Sequence, residues 1–167
     1  MINDTLLPVI RDEIFVSFMN DYINNAQLPF ETLERIKNEN PRAYIHIKKT
    51  TNEYKDYKQL ALVCGASVYH LLEQTGEVPF IEKETLKLFS AEISEPGYSQ
   101  KLSKELKNEN QKILTLIDIL NYKSSVNEPM LCMGLNVYGL LRTQAKKNLF
   151  AKFETDQQSK LEHRIIN

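Results

Sequence analysis

The chain has 167 residues, of which 42% are hydrophobic and 26% are charged, and its net charge is −1. This length suits one domain with enough buried surface for a core, and the near-zero charge excludes a global field that would attract nucleic acid or acidic lipid. Five Gly and six Pro leave little material for the tight turns of an all-β fold. We therefore predict a single all-α domain over residues 1–167.

Two features of the sequence, its cysteines and its apolar segments, indicate the cellular compartment of the protein. Cys64 and Cys132 lie in apolar segments, whereas a disulfide framework needs a secreted context and usually more cysteines. Residues 1–11 lack a signal-peptide pattern, and the longest apolar stretch, residues 60–72, is too short to span a bilayer. We expect a cytoplasmic protein, or one within an assembled particle, and no membrane partner. The many Lys and Asn and the absence of Trp are typical of AT-rich bacterial or phage genomes.

The first third of the chain predicts two short helices and one ambiguous segment. Apolar residues at helical spacing predict a helix over residues 9–24, entered after Pro8, and a shorter one over residues 31–38 after Pro29. Residues 43–48 (AYIHIK) alternate like a strand but also fit helical turns, and the pattern slightly favours a helix.

Two strongly apolar helices are expected at the centre of the domain. Thr50 followed by Glu53 resembles a capping box, and Gly76 resembles a left-handed terminator, which together predict a helix over residues 50–75. Its apolar stripe comprises Tyr57, Leu60, Ala61, Cys64, Val68, Leu71 and Leu72. The second central helix begins near residue 127, contains residues 130–141 (MLCMGLNVYGLL), and continues as a basic amphipathic extension through Ala145, Leu149 and Phe150.

The remaining elements complete a bundle of six to seven helices around the two apolar central helices. One helix is predicted over residues 82–94. Ser99 is expected to cap a long helix to about residue 123, whose polar middle, residues 107–112 (KNENQK), faces solvent or an external partner. Thr155 with Gln158 resembles another capping box and predicts a short terminal helix that carries Leu161, Ile165 and Ile166.

The two central helices share a recurring pattern. Gly65, Val68, Tyr69, Leu71 and Leu72 recur at one constant offset as Gly134, Val137, Tyr138, Leu140 and Leu141. One interpretation is a duplicated helical hairpin with pseudo-twofold symmetry. The other is coincidence, since buried helices draw on few residue types, and the poor match of the flanking segments favours similar packing roles.

No motif for catalysis, metal binding or phosphate binding is found. His46, His70 and His163 lie on three different segments without a ligand at metal-site spacing, and the apolar settings of Cys64 and Cys132 oppose thiolate formation. The sequence contains no phosphate-binding loop and no nucleophile elbow. We therefore expect no cofactor and no metal, and the balance favours a protein that is not an enzyme.

Two basic clusters provide candidate surfaces for an anionic partner. The first contains Arg42, Lys48, Lys49, Lys55 and Lys58, interleaved with tyrosines in a way that can suit single-stranded nucleic acid. The second contains Arg142, Lys146, Lys147 and Lys152 on a predicted helix. Solvated helix faces are the simpler interpretation of both clusters.

Three functions remain open at this point. The leading hypothesis is a non-enzymatic interaction or assembly subunit, such as a phage structural or accessory protein or an immunity-type binder, with a protein partner or a homo-oligomer. The second is a nucleic-acid-associated regulator that uses the basic clusters around residues 42–58 and 142–152. The third is a small-ligand binder or enzyme with a pocket between the central helices. Its polar groups would be Tyr69, His70, Asn136 and Tyr138.

Overall fold

The computed structural model describes the backbone of residues 6–124 and 127–166, and the side chains of residues 6–120 and 131–164. Within these residues the chain forms eight α-helices and no strand, which confirms the all-α prediction with more helices than expected. Residues 43–48 are helical. The helices are α1 (Asp12–Asn24), α2 (Leu28–Glu39), α3 (Pro41–Asn52), α4 (Lys58–Glu73), α5 (Lys83–Ile93), α6 (Tyr98–Glu109), α7 (Gln111–Ser124) and α8 (Asn127–Ile166).

Helices α4 and α8 pack against each other along the centre of the bundle. Their inner faces carry fully or almost fully buried residues, as the hydrophobic pattern predicts. These are Cys64, Val68, Leu71 and Leu72 on α4 and Met133, Leu135, Val137, Leu140 and Leu141 on α8. The predicted pair of apolar central helices is therefore confirmed, although Tyr57 and Leu60 at the start of α4 are exposed.

The predicted start and end signals of α4 and α6 were wrong. Thr50 lies in the last turn of α3, where the next residue, Thr51, donates its hydroxyl to the carbonyl of Ile47 at 2.7 Å. A threonine hydroxyl can bind a carbonyl one turn earlier instead of capping a helix, and α4 begins only at Lys58. Among the described residues, the one glycine with positive φ is Gly97 rather than Gly76, and it precedes α6 in place of a Ser99 cap.

The long helix expected over residues 99–123 is interrupted at Asn110, whose φ and ψ of −153° and 72° are not helical. Asn110 is buried, and its side chain donates to the carbonyl of Pro8 at 2.7 Å and accepts from the amide of Ile10 at 3.2 Å. The polar segment of residues 107–112 therefore does not face solvent along its whole length, because Asn110 is buried. These bonds also hold Pro8 and Ile10 outside α1, which explains why α1 begins at Asp12.

Asn40 makes equivalent hydrogen bonds at the break between α2 and α3. Its side chain donates to the carbonyl of Pro79 at 2.9 Å and accepts from the amide of Ile81 at 3.0 Å. Both asparagines end the same four letters, KNEN, at residues 37–40 and 107–110, and both bind a Pro-x-Ile segment. The segment that Asn40 binds precedes α5, and the segment that Asn110 binds precedes α1. Helices α1–α4 and helices α5–α8 therefore hold each other's leading segments by equivalent contacts.

The contacts of two glycines extend this equivalence. A Cβ added at Gly65 of α4 would lie 3.3 Å from Cγ2 of Ile47 on α3. A Cβ added at Gly134 of α8 would overlap the side chain of Ile117 on α7, at the matching position. The helices α1–α4 and α5–α8 therefore form two corresponding four-helix halves.

Helix α8 continues past the body of the protein without a break. Residues 146–164 are all exposed, and Thr155 lies inside the helix, where its hydroxyl donates to the carbonyl of Ala151 at 2.9 Å. The predicted capping box and separate terminal helix were therefore wrong. The side chains of Met130, Ile165 and Ile166, which the sequence pattern assigned to apolar positions, lie outside the described residues.

The asparagine contacts predict a matched loss of stability. Asn40→Ala and Asn110→Ala should each lower the free energy of unfolding by about 1–3 kcal/mol, because each leaves an amide and a carbonyl without partners. Asn38→Ala and Asn108→Ala, two residues earlier and exposed, should change it by less than about 0.5 kcal/mol. Urea unfolding measures all four variants. The asparagine contacts would be contradicted if Asn40→Ala destabilised the protein no more than Asn38→Ala, or Asn110→Ala no more than Asn108→Ala.

Close approach of α5 to α8 gives a second prediction. A Cβ at Gly139 would lie 2.6 Å from Leu102 and 2.7 Å from the ring of Phe89. Gly139→Ala should therefore destabilise the protein by about 1–2 kcal/mol, even though Ala favours a helix by about 1 kcal/mol.

Gly76→Ala is the control for this substitution. The nearest atom to a Cβ there is 3.5 Å away, and the backbone is not left-handed. We expect no loss of stability in thermal unfolding. If the Gly139→Ala protein were as stable as the Gly76→Ala protein, the packing of Phe89 of α5 against α8 would not require a glycine at position 139.

Candidate functional site

The four polar residues expected to line a pocket between the central helices lie in separate places. The Tyr69 hydroxyl accepts a hydrogen bond from Asn40 at 3.2 Å, and the Tyr138 hydroxyl donates to Glu109 at 2.9 Å. Asn136 is bonded to the ring of His46 at 3.0 Å. His70 faces yet another group of residues, and the structure does not bring the four together.

The partners of His70 are charged. Glu73 binds the Arg35 guanidinium, while Nδ1 of His70 lies 3.3 Å from the Glu73 carboxylate and 3.2 Å from Arg35. Burial raises the pKa of Glu73, but the hydrogen bonds and charges of His70 and Arg35 outweigh it and bring that pKa below its ordinary value. This network joins α2 to α4 and has a structural role.

A second network joins α6 to α8 at the corresponding position. Arg142 forms an ion pair with Glu105 at 3.3 Å and donates to both oxygens of Glu109, at 2.8 and 3.0 Å. Arg142 of α8 corresponds to Glu73 of α4, and Glu105 of α6 corresponds to Arg35 of α2. The two halves thus contain the same ion pair with its charges reversed.

The predicted basic clusters are only partly available to an anionic partner. Arg142 is held by two glutamates, Lys147 pairs with Glu82, and Arg42 donates to the carbonyl of Ile81 at 3.2 Å. Several lysines remain on the surface. These exposed residues are Lys48, Lys49, Lys55, Lys58, Lys146 and Lys152.

A run of exposed apolar side chains lies on residues 146–164, which we name the α8 extension. It projects roughly 30 Å at 1.5 Å per residue. Four large apolar side chains on it are exposed, Leu149 by 57%, Phe150 and Phe153 by 59%, and Leu161 by 61%. At 100° per residue they fall within an arc of about 120°, so they form one stripe.

Sequence reasoning identified Leu149, Phe150 and Leu161 but not that they share one stripe with Phe153. The predicted break at Thr155 separated them. Residues 145–164 are rich in Ala, Lys, Gln, Glu and Leu, which favour an uninterrupted helix, and this composition was the signal that could have joined the two segments.

No family model matches the chain, and no curated protein or solved structure is detectably similar to it. Among the described residues, no helix is long and apolar enough to cross a membrane. In the same residues, no group of three His, Cys, Asp or Glu side chains is placed to hold a metal ion.

The Arg142 network predicts a pH dependence of stability. Burial raises the pKa of Glu109, but hydrogen bonds from Arg142 and Tyr138 lower it further than burial raises it, so the net shift is downward. Because the pKa of Glu109 is lower in the folded state, its ionised carboxylate stabilises the protein at pH values above the ordinary Glu pKa. This contribution is lost as the pH falls through the folded-state pKa.

Glu109→Gln should therefore lower the free energy of unfolding by about 1–2 kcal/mol at neutral pH, and the difference from wild type should shrink in acid. Urea unfolding at several pH values measures this. Glu154→Gln, on the exposed α8 extension, should match wild type throughout. A Glu109→Gln deficit that stays constant into acid would contradict the ion-pair interpretation.

Proposed function

We propose that this protein is a non-enzymatic interaction or assembly subunit that docks its α8 extension into an apolar groove of a protein partner. The observation that supports it is the stripe of Leu149, Phe150, Phe153 and Leu161. In proteins most of the stability of a helix comes from packing of its apolar face, and no described residue of the chain covers this face.

The stripe supplies part of the binding free energy. Full burial of a Leu or Phe side chain contributes about 1.5–3 kcal/mol, so four side chains already partly covered offer about 4–7 kcal/mol. Micromolar affinity requires about 8 kcal/mol after the costs of association. The partner must therefore also contact the body of the protein.

A cleft at the base of the extension provides that further contact. It has a volume of about 240 Å³ and lies between α5, α6 and α8. Phe150 of the stripe and the 52%-exposed Leu88 both line it, so apolar surface continues from the extension onto the body. The exposed Lys146 also lines it and suits a carboxylate at the rim of a partner's interface.

The charges of the extension favour protein over other partners. It carries charges of both signs. The basic residues are Lys146, Lys147, Lys152, Lys160 and Arg164, and the acidic residues are Glu154, Asp156 and Glu162. A helix that lies on a membrane surface has a polar face rich in Lys and Arg, and a nucleic-acid surface needs clustered cations. Arg142 and Lys147, two members of the predicted basic cluster around residues 142–152, are paired with glutamates.

The test compares the wild-type chain with Phe150→Ser/Phe153→Ser. Light scattering gives the mass of each protein alone, and capture from the source cell's lysate gives partners. We expect a complex, with another protein or a second copy, that the stripe variant loses or holds at least about tenfold more weakly.

The matched control is Ala151→Ser/Glu162→Ser, on the opposite side of the same helix, which should leave the complex unchanged. Far-ultraviolet circular dichroism verifies that each variant retains its helices. A monomeric wild-type chain that captures the same proteins as the stripe variant would refute the proposal.

A further inference from the structure

The face of α8 that carries the stripe continues from the extension onto the body of the protein. At 100° per residue, Arg142 and Lys146 fall within the same arc of about 120° as the four apolar residues of the stripe. Both also line the cleft at the base of the extension, together with Phe150. A helix that packs along the stripe therefore reaches this cleft, where Leu88 is 52% exposed.

The spacing of the stripe residues fits a second copy of α8 that runs antiparallel. When Phe150 of one copy lies opposite Phe153 of the other, the phenylalanines of both helices form the centre of the contact. Leu161 of the second copy follows about 12 Å further along, at 1.5 Å per residue. It then lies opposite Arg142, beside the cleft and Leu88. One register therefore brings the stripe and the cleft of both copies into contact at once.

The apolar area of this contact is that of a stable interface. At about 100 Å² for each partly exposed side chain, the stripe and Leu88 contribute roughly 500 Å² of apolar surface per copy. An interface of standard size buries about 800 Å² per partner, of which slightly more than half is apolar. A second copy thus supplies from its own stripe and cleft the apolar surface that a single stripe lacks.

The charges on this face favour the antiparallel direction. Lys146, Lys160 and Arg164 lie on the same face as the stripe, so a parallel pair would place each cation beside its own equivalent. In the antiparallel register, Glu154 of the second copy lies within one helical turn of Lys146. Neither of these two residues has an ion pair among the described residues. Twofold symmetry repeats the contact, so the dimer contains two such pairs of opposite charge.

We propose that the partner of the α8 extension is a second copy of this chain, whose extension lies antiparallel along the stripe and places Leu161 beside Leu88 at the cleft. A second copy is one case of the protein partner in the proposed function, and its assignment rests on that function. Each copy provides one extension and one cleft, so the contact is isologous and closes the assembly at a dimer.

Sedimentation equilibrium of the full chain measures the dimer. We expect twice the 19.4 kDa of one chain, with a dissociation constant that is micromolar or lower. Phe150→Ser/Phe153→Ser in the stripe and Leu88→Ser in the body should each weaken the dimer by at least about tenfold. Ala151→Ser/Glu162→Ser, on the opposite side of α8, should leave it unchanged.

Charge reversal tests the direction of the two helices. Lys146→Glu and Glu154→Lys should each weaken the dimer by about tenfold, because each puts like charges together at both contacts. An equal mixture of the two variants should form a heterodimer as tight as the wild-type dimer, because both contacts then join opposite charges. Glu162→Lys, on the opposite side of the helix, should dimerise like wild type.

Three results would overturn the assignment of a second copy. These are a wild-type chain that stays monomeric up to about 100 µM, a dimer that the stripe variant retains, and a mixture of reversed variants that associates as weakly as either alone. A monomeric wild-type chain that captures another protein through its stripe would exclude the second copy and still support the proposed function. A monomer that captures nothing through its stripe would refute both.

Discussion

The mutual burial of α4 and α8 is the contact from which the remaining architecture follows. Their facing surfaces consist of aliphatic side chains that water solvates poorly, and Gly65 and Gly134 allow the neighbouring helices α3 and α7 to lie close on either side. Once these four helices are packed, the polar breaks at Asn40 and Asn110 are enclosed. Buried amides require partners, and each asparagine finds them in the segment that leads into the opposite half.

Much of this arrangement can be predicted from the sequence, and there are physical reasons why the rest cannot. The apolar periodicity of α4 and α8 is strong enough to predict both helices and their burial. The break at Asn110 was missed, because an asparagine in a polar run looks solvated unless its long-range partners are known. Thr50 and Thr155 misled because a threonine can also lie inside a helix. The Thr155 hydroxyl binds the carbonyl of Ala151 one turn back instead of capping, and a local pattern does not distinguish these two roles.

The candidate sites were less accessible to sequence reasoning than the fold. The stripe needs an unbroken α8, and its apolar residues look like core residues until the structure shows that nothing described covers them. His46 has no neighbouring ligand in the sequence, so its environment depends on Asn136, which lies 90 positions away. Pattern arguments detect local periodicity, whereas the cleft beside Phe150 forms where three helices meet.

The α8 extension lies where the two halves differ. The counterpart of α8 is α4, which ends at Glu73, so the α8 extension has no equivalent. His46 of α3 corresponds to Leu116 of α7, a fully buried aliphatic residue. Leucine therefore satisfies this packing position, and a buried imidazole whose Nδ1 has no partner among the described residues adds a cost that packing does not require. Shared positions explain how the protein folds, and the exposed apolar stripe lies on a segment that the two halves do not share.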